Sequence, residues 1–220
     1  MALQIAEILT RQQVTELRAA LAAAEAGFVS GKATAGWYAR DVKNNDQASG
    51  PAAEKALALA REALLKHPVF AAAARPKAFV RMLVSRYRPG MSYGTHVDSA
   101  LMEGQRTDLS FTLFLSEPES YEGGELVIEE NDGDTAIKLA AGSAVLYPTT
   151  NLHRVAEVTS GERLAIVGWV RSFIRSAEQR EMLFELDQTV ASLHELNIDR
   201  RVLDRVFRVR NQLTRMWAED

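Results

Sequence analysis

The stretch AFVRMLVSRYR, Ala78–Arg88, is where the period of the chain changes. Upstream, apolar residues recur three and four positions apart. From Phe79 onward they come in short runs rich in β-branched and aromatic side chains, bounded by Gly, Pro, Asn or Asp. Such runs read as strands, because branched and ring side chains pack well on a pleated surface. The pattern returns in DLSFTLFLS (Asp108–Ser116), GGELVIEE (Gly123–Glu130), TAIKLA (Thr135–Ala140), SAVLYP (Ser143–Pro148), HRVAEV (His153–Val158) and RLAIVGWV (Arg163–Val170). Parallel strands need crossover helices between them, and these gaps hold none. Seven or eight strands with helices only before and after predict a mainly β fold with flanking α: an antiparallel double-stranded β-helix, or jelly roll.

Working outward, Thr10 with Gln13 forms a capping box for a helix with Val14, Leu17 and Leu21 on one stripe, running to about Glu25. A second helix is predicted over Pro51–Lys66, closed by His67-Pro68. Between them TAGWYARDVKNNDQASG reads as an ordered, polar, turn-prone loop. After Trp169 the helical period returns: Ser176 and Gln179 cap a helix with Leu183, Leu186, Val190 and Leu193 on one stripe. Asn197 ends it, and Asp199 starts a second one. Three parts are expected: an N-terminal helical and mixed region at 1–78, a jelly-roll core at 79–174 and a C-terminal helical hairpin at 175–220.

At 220 residues the chain is long enough to bury one real core with a helical annex. A net charge of −3 gives no general pull toward nucleic acid or anionic membrane. The arginines at 200, 201, 205, 208, 210 and 215 are interleaved with acids, which favours a solvated or subunit-facing helix and an oligomer built through the C-terminal helices. The first 25 residues carry Glu7, Arg11, Glu16 and Arg18 and so lack the apolar core of a signal peptide. No apolar run reaches the roughly 20 residues a membrane span requires, so a cytoplasmic address is expected. With no cysteine, any metal must be held by imidazole and carboxylate.

Two such groups stand one residue apart in GTHVDSALM: His96 and Asp98. In an extended segment side chains at i and i+2 leave the same face and converge on one point; taken alone, the pair also fits an ordinary loop. A third ligand candidate, His153, begins a predicted strand 57 positions on (153 − 96). Two histidines and a carboxylate form the facial triad of non-haem Fe(II) oxygenases, which leaves neighbouring coordination positions open. Those positions suit a chelating 2-oxo acid and dioxygen. The far carboxylate of such an acid needs a cation, and Arg163 lies ten residues past His153. If Thr159, Ser160 and Gly161 form a three-residue hairpin loop, with Gly161 left-handed, Glu157 pairs with Arg163, and His153 and Arg163 share a face. The other register makes Arg163 a solvent-facing strand residue. Guanidinium suits the role because its fork meets a carboxylate bidentately and keeps its charge. Tyr87, and less directly Tyr93, are candidates to donate to the same carboxylate or simply to fill the core. Trp169 falls on the Arg163 face and either walls the co-substrate pocket or packs. A non-catalytic metal-binding jelly roll, a sensor or storage module, explains the three ligands but leaves Arg163 without a job.

Several segments carry a resemblance: TAGWYARDVKNNDQ, RYRPGMSYGTHVD, RTDLSFTLFLSEPESYEGGEL, GSAVLYPTTNLHRVAEVTSGERLAIVGWVRS and REMLFELDQTV. With these the chain resembles the bacterial PKHD-type hydroxylases, of the prolyl 4-hydroxylase-like branch of Fe(II)/2-oxoglutarate dioxygenases, over nearly its whole length. The resemblance implies Fe2+ on His96, Asp98 and His153, with 2-oxoglutarate on Arg163. It implies activation of O2, succinate and CO2 as co-products, hydroxylation of an unactivated C–H bond, ascorbate as reductant, and a link to iron uptake. The substrate it implies is either peptidyl or a small molecule.

SALMEGQRTD and VKNNDQ are the expected mouth of the site, since loops carry specificity. EENDGD, Glu129–Asp134, is acidic but lacks the length and terminal glutamate of a calcium loop, and its Asp-Gly predicts a surface hairpin turn without metal.

Overall fold

The computed structural model describes residues 2–23, 27–130 and 133–219. Among them, two antiparallel sheets face each other. The larger runs in the order β1 (Leu3–Ile5), β13 (Ala144–Pro148), β9 (Leu109–Phe114), β15 (Arg163–Ser172), β5 (Pro76–Tyr87), β4 (Asp46–Ala48) and β2 (Phe28–Ser30). The smaller runs β12 (Gly133–Ile137), β11 (Leu126–Glu130), β14 (His153–Gly161), β6 (Met91–His96) and β3 (Lys43–Asn44), with β10 (Tyr121–Gly123) also on β14. A two-stranded hairpin of β7 (Leu101–Met102) and β8 (Gln105–Arg106) stands apart. The helices are α1 (Arg11–Ala23), α2 (Pro51–Lys66), α3 (Pro68–Ala74), α4 (Ala177–Glu195) and α5 (Arg200–Trp217).

Strand alternation divides the interior in two. On β9, Leu109, Phe111 and Leu113 join the cluster in which Leu17, Leu21, Ala60, Leu64 and Phe70 of the helices cover the larger sheet. Phe114 instead joins a smaller cluster with Tyr87, Leu126, Ile128, Val145, Tyr147, Val155 and Val158, between the sheets. That space is not filled by apolar side chains throughout, and the site lies in it. The N-terminal region does more than supply helices: its short strands β3 and β4 extend the two sheets on the same side of the sandwich.

The helix signals translate closely. Thr10 and Gln13 exchange both capping bonds, at 2.9 and 3.2 Å. The segment reaches Ala23, and the expected end at Glu25 lies outside the described residues. Pro68 does not merely close α2: it opens α3, where a proline is welcome because the first-turn N–H has no intrahelical partner. The β11–β12 pairing reaches Glu130 opposite Gly133, and the turn expected in EENDGD falls on Asn131 and Asp132, which lie outside the described residues.

The hairpin expected between His153 and Arg163 is not there. β14 pairs with β6, β10 and β11, whereas β15 pairs with β5 and β9, so the chain crosses from one sheet to the other at Glu162. Gly161 is left-handed, at φ 74°, and only glycine fits there, since a Cβ would lie 2.2 Å from the Ser120 carbonyl oxygen. The crossing is fastened by Ser116, whose hydroxyl donates to Glu162 O (2.8 Å) and accepts from Leu164 N (2.9 Å). Arg163 faces inward through the alternation of β15 and its place opposite Tyr87 on β5, not through pairing with Glu157.

Candidate active site

His96 ends β6 and His153 begins β14, and the two are direct cross-strand partners. Asp98 lies two residues after His96. One ligand atom from each of the three lies within 4.8 Å of the other two. His96 Nε2 is 3.8 Å from Asp98 Oδ1, and His153 Nε2 is 3.6 Å from Asp98 Oδ2. One ion with bonds of about 2 Å spans such gaps.

The backbone settles which nitrogen of each ring is free. His96 Nδ1 lies 2.9 Å from Gly94 O and His153 Nδ1 3.0 Å from Asn151 O; a carbonyl only accepts, so both protons sit on Nδ1 and both Nε2 lone pairs face Asp98. Asp98 is itself oriented by Ser110, whose hydroxyl donates to Oδ2 at 2.7 Å. Ser110→Ala is expected to lower metal affinity by about 10- to 100-fold, the usual cost of losing a partner that orients a ligand. Competition with a chromophoric chelator measures it, and an unchanged affinity would remove Ser110 from the site.

Burial and the neighbouring His153 push the His96 imidazole down to about 4, against the pull of Asp98. The ring is therefore neutral at pH 7. In the unfolded chain it takes up its proton near 6.5, so the stability contributed by neutral His96 is complete above 6.5 and is lost as pH falls toward 4. At about 1.4 kcal/mol per unit this is about 3 kcal/mol across the window. Urea unfolding with chelator present, at pH 7 and pH 4.5, should show a loss that is smaller in His96→Gln by most of that amount. Equal losses in the two proteins would contradict it.

The triad opens into a cavity of about 360 Å3 between the sheets. In the same cavity Arg163 is 1% exposed and its Nε, Nη1 and Nη2 lack a partner at hydrogen-bonding geometry, although the Tyr121 phenol lies close enough for the guanidinium to oppose the upward push of burial on its pKa. Its guanidinium carbon sits 5.3 and 5.4 Å from the ring centroids of Tyr87 and Phe114. Gly124, left-handed at φ 67°, leaves space beside the arginine, since a Cβ there would come within 3.0 Å of Arg163 Cδ. A buried, unpaired guanidinium costs several kcal/mol and is satisfied by an anion. Tyr87 is buried and turns its hydroxyl toward Ser85 and Asn45; burial raises its pKa, the Arg163 charge opposing. Tyr93 stacks on His96, ring centroids 3.7 Å apart. Trp169 lines the same cavity, with its buried Nε1 lacking a partner.

Both expected mouth segments reach this cavity: Ser99, Met102 and Glu103 from one, Lys43, Asn45 and Gln47 from the other. Residues 82–171 match the 2OG-Fe(II) oxygenase superfamily. A PKHD-type hydroxylase of Maricaulis maris is 51% identical over 221 residues, 100% of each chain, and one of Parvibaculum lavamentivorans is 56% identical over 195 residues, 88% of each. The chain belongs to the PKHD-type hydroxylases. A PKHD-type hydroxylase is an oxidoreductase, a dioxygenase for which the superfamily implies Fe2+ and 2-oxoglutarate. Among solved structures, a prolyl hydroxylase from Trichoplax adhaerens, in complex with a hypoxia inducible factor oxygen degradation domain peptide fragment, matches with a TM-score of 0.60. It is 17% identical and covers 83% of this chain and 86% of that one, a likeness of fold.

The donor set of this PKHD-type hydroxylase suits that metal: two neutral imidazoles and one carboxylate on one side, with the cavity open on the other. Ser110 and three further cavity residues were not singled out from sequence. Tyr147 is buried with its ring 5.1 Å from that of His153; burial and the Asp98 charge hold its phenol well above its ordinary range. Lys43, 5% exposed, has its ammonium pulled down to about 8 by burial and then by Arg81, with Asp98 opposing. Arg81 faces the cavity from β5. The strand alternation of β5 and β13 was the available signal for Arg81 and Tyr147; Lys43 was legible only as part of the expected mouth segment VKNNDQ, because a two-residue strand has no period to single it out.

Among the described residues no helix is long and apolar enough to cross a membrane.

Proposed function

We propose that this chain hydroxylates an unactivated C–H bond, with His96, Asp98 and His153 holding Fe2+ and Arg163 holding the far carboxylate of 2-oxoglutarate. The observation that carries this reading is the buried Arg163 guanidinium, without a hydrogen-bond partner, in one cavity with three converging ligands. Bound together, the metal and the co-substrate supply dioxygen activation, with succinate and CO2 as co-products. The chain's own groups do the rest. Two backbone carbonyls fix the imidazoles, Ser110 fixes Asp98, and the rings of Tyr87 and Phe114 hold the guanidinium in a cavity that limits water. Tyr87, opposite Arg163, acts as a wall beside the co-substrate, whereas Trp169, expected to share that role, stands six positions along β15 and borders the other end of the cavity. Residues 79–174 form the catalytic core, and the α4–α5 hairpin is the association surface of an oligomer, a reading supported by the exposure of Val202, Phe207, Val209 and Met216. Ascorbate as reductant, a cytoplasmic address and a part in iron uptake rest on family likeness and sequence.

Anaerobic addition of Fe(II) and then 2-oxoglutarate tests the assignment. A visible charge-transfer band that needs both components is expected, and its absence with metal bound would overturn the co-substrate role.

A further inference from the structure

The cavity-facing side of β5 carries Arg81 at one end and Tyr87 at the other. Arg163 lies opposite Tyr87, while Arg81 lies opposite Trp169. Six positions of strand separate the two ends, about 20 Å, so Arg81 serves a different part of the cavity from Arg163. Lys43 faces the same part from the other sheet, where β3 pairs with β6; its ammonium feels the charges of both Arg81 and Asp98.

These groups are almost without partners. Lys43 Nζ makes one hydrogen bond, to Thr34 Oγ1 at 3.0 Å, and Arg81 has no hydrogen bond or ion pair among the described residues. The Nε1 of Trp169, the cross-strand partner of Arg81, is buried in the same cavity wall and unpaired. Three donors, two of them cationic, thus share this region with Asp98, whose oxygens are committed to the histidines and Ser110. Glu103 lies exposed at the rim. The charge count points the same way. Fe2+ (+2), Asp98 (−1), 2-oxoglutarate (−2) and Arg163 (+1) sum to zero, which leaves Lys43 and Arg81 as two positive charges with only the exposed Glu103 at the rim to set against them.

We propose that Lys43 and Arg81 hold a carboxylate of the substrate, which is therefore an amino-acid-sized acid or a chain end bearing one. This rests on the iron and 2-oxoglutarate reading above. A guanidinium and an ammonium presented from opposite sheets clasp a planar anion between them, with the indole N–H as a third donor. A cavity of about 360 Å3 is at the small end for ligand sites. Once the co-substrate is in place, the remaining space takes a fragment of amino-acid size.

The test titrates the protein, loaded anaerobically with Fe(II) and 2-oxoglutarate, with a panel of N-acetyl amino acids, each beside its neutral primary amide. Binding is read from the visible band and from tryptophan fluorescence. At least one acid should bind, with its amide at least about 10-fold weaker. Arg81→Gln and Lys43→Gln should each weaken the acid by about 10- to 100-fold, the range for losing one charged hydrogen-bonding partner, while the 2-oxoglutarate titration stays as in wild type. Arg81→Lys should recover part of the loss. Amides binding as well as acids, or no acid binding at all, would overturn the proposal. So would weakened 2-oxoglutarate binding in the glutamine variants, which would assign both cations to the co-substrate. The comparison of acid with amide is made on wild-type protein and does not depend on how the variants fold. Failure of the underlying reading looks different: the band never forms, while fluorescence of the metal-free protein still reports carboxylate binding at the two cations.

Discussion

Arg163→Ala is expected to leave Fe(II) affinity near wild type and to lower 2-oxoglutarate affinity by about 30- to several thousand-fold, the cost of a desolvated charge-assisted contact of about 2–5 kcal/mol. Arg163→Lys should recover only part, because it keeps the charge and loses the planar fork. Stability should move the other way. The guanidinium is 1% exposed and has no hydrogen-bond partner, so in the ligand-free protein it is an uncompensated buried charge. Arg163→Met, similar in volume, should therefore match or exceed the wild-type stability, by up to about 4 kcal/mol. Calorimetric titration paired with a thermal melt reads both. Normal 2-oxoglutarate binding in the alanine variant, or a methionine variant that melts well below wild type, would contradict the assignment.

Asp98→Ala is expected to cut Fe(II) affinity by at least about 1,000-fold, beyond the 10- to 100-fold typical of losing an outer partner. Asp98 is the single carboxylate among the three converging ligands. It sits past the end of β6, outside any strand ladder, so its truncation removes no backbone pairing. Chelator competition gives the affinity, and consumption of 2-oxoglutarate should fall with it. Wild-type affinity in this variant would move the metal elsewhere.

The parts legible from sequence are those with a local physical cause. The capping box at Thr10 and Gln13, the run from Pro51 to Lys66 and the cap at Ser176 each carry their chemistry within four residues. His96 and Asp98 are readable because two positions along an extended segment return to the same face. The path of the chain beyond His153 is not readable in the same way. The turn Thr159-Ser160-Gly161 has the composition of a hairpin, but a left-handed glycine serves equally well where the chain leaves one sheet for another, and only distant partners decide between them. The hairpin register that would put Arg163 on the inner face does not exist. The inward direction stands because β15 alternates, with Leu164 and Ile166 toward the helices. Pro68 reads as an ending because a proline stops the helix before it and starts the one after it by the same property. Arg81 escapes notice, and Lys43 is readable only through its mouth segment, because a cation in a strand looks solvent-facing until the opposing sheet is known.

The crossing at Glu162 gives the two ligand sets different footings. The histidines stand on β6 and β14 of the smaller sheet, and the arginine on β15 of the larger. A molecule anchored to the metal at one end and to Arg163 at the other is thus a tie rod between the two halves of the sandwich. Its grip adds to the resistance against prying them apart by an amount set by concentration, about 2.7 kcal/mol at 100 times its dissociation constant. If the proposed assignment holds, the supply of 2-oxoglutarate would set how firmly the two sheets stay together as well as how fast the protein works.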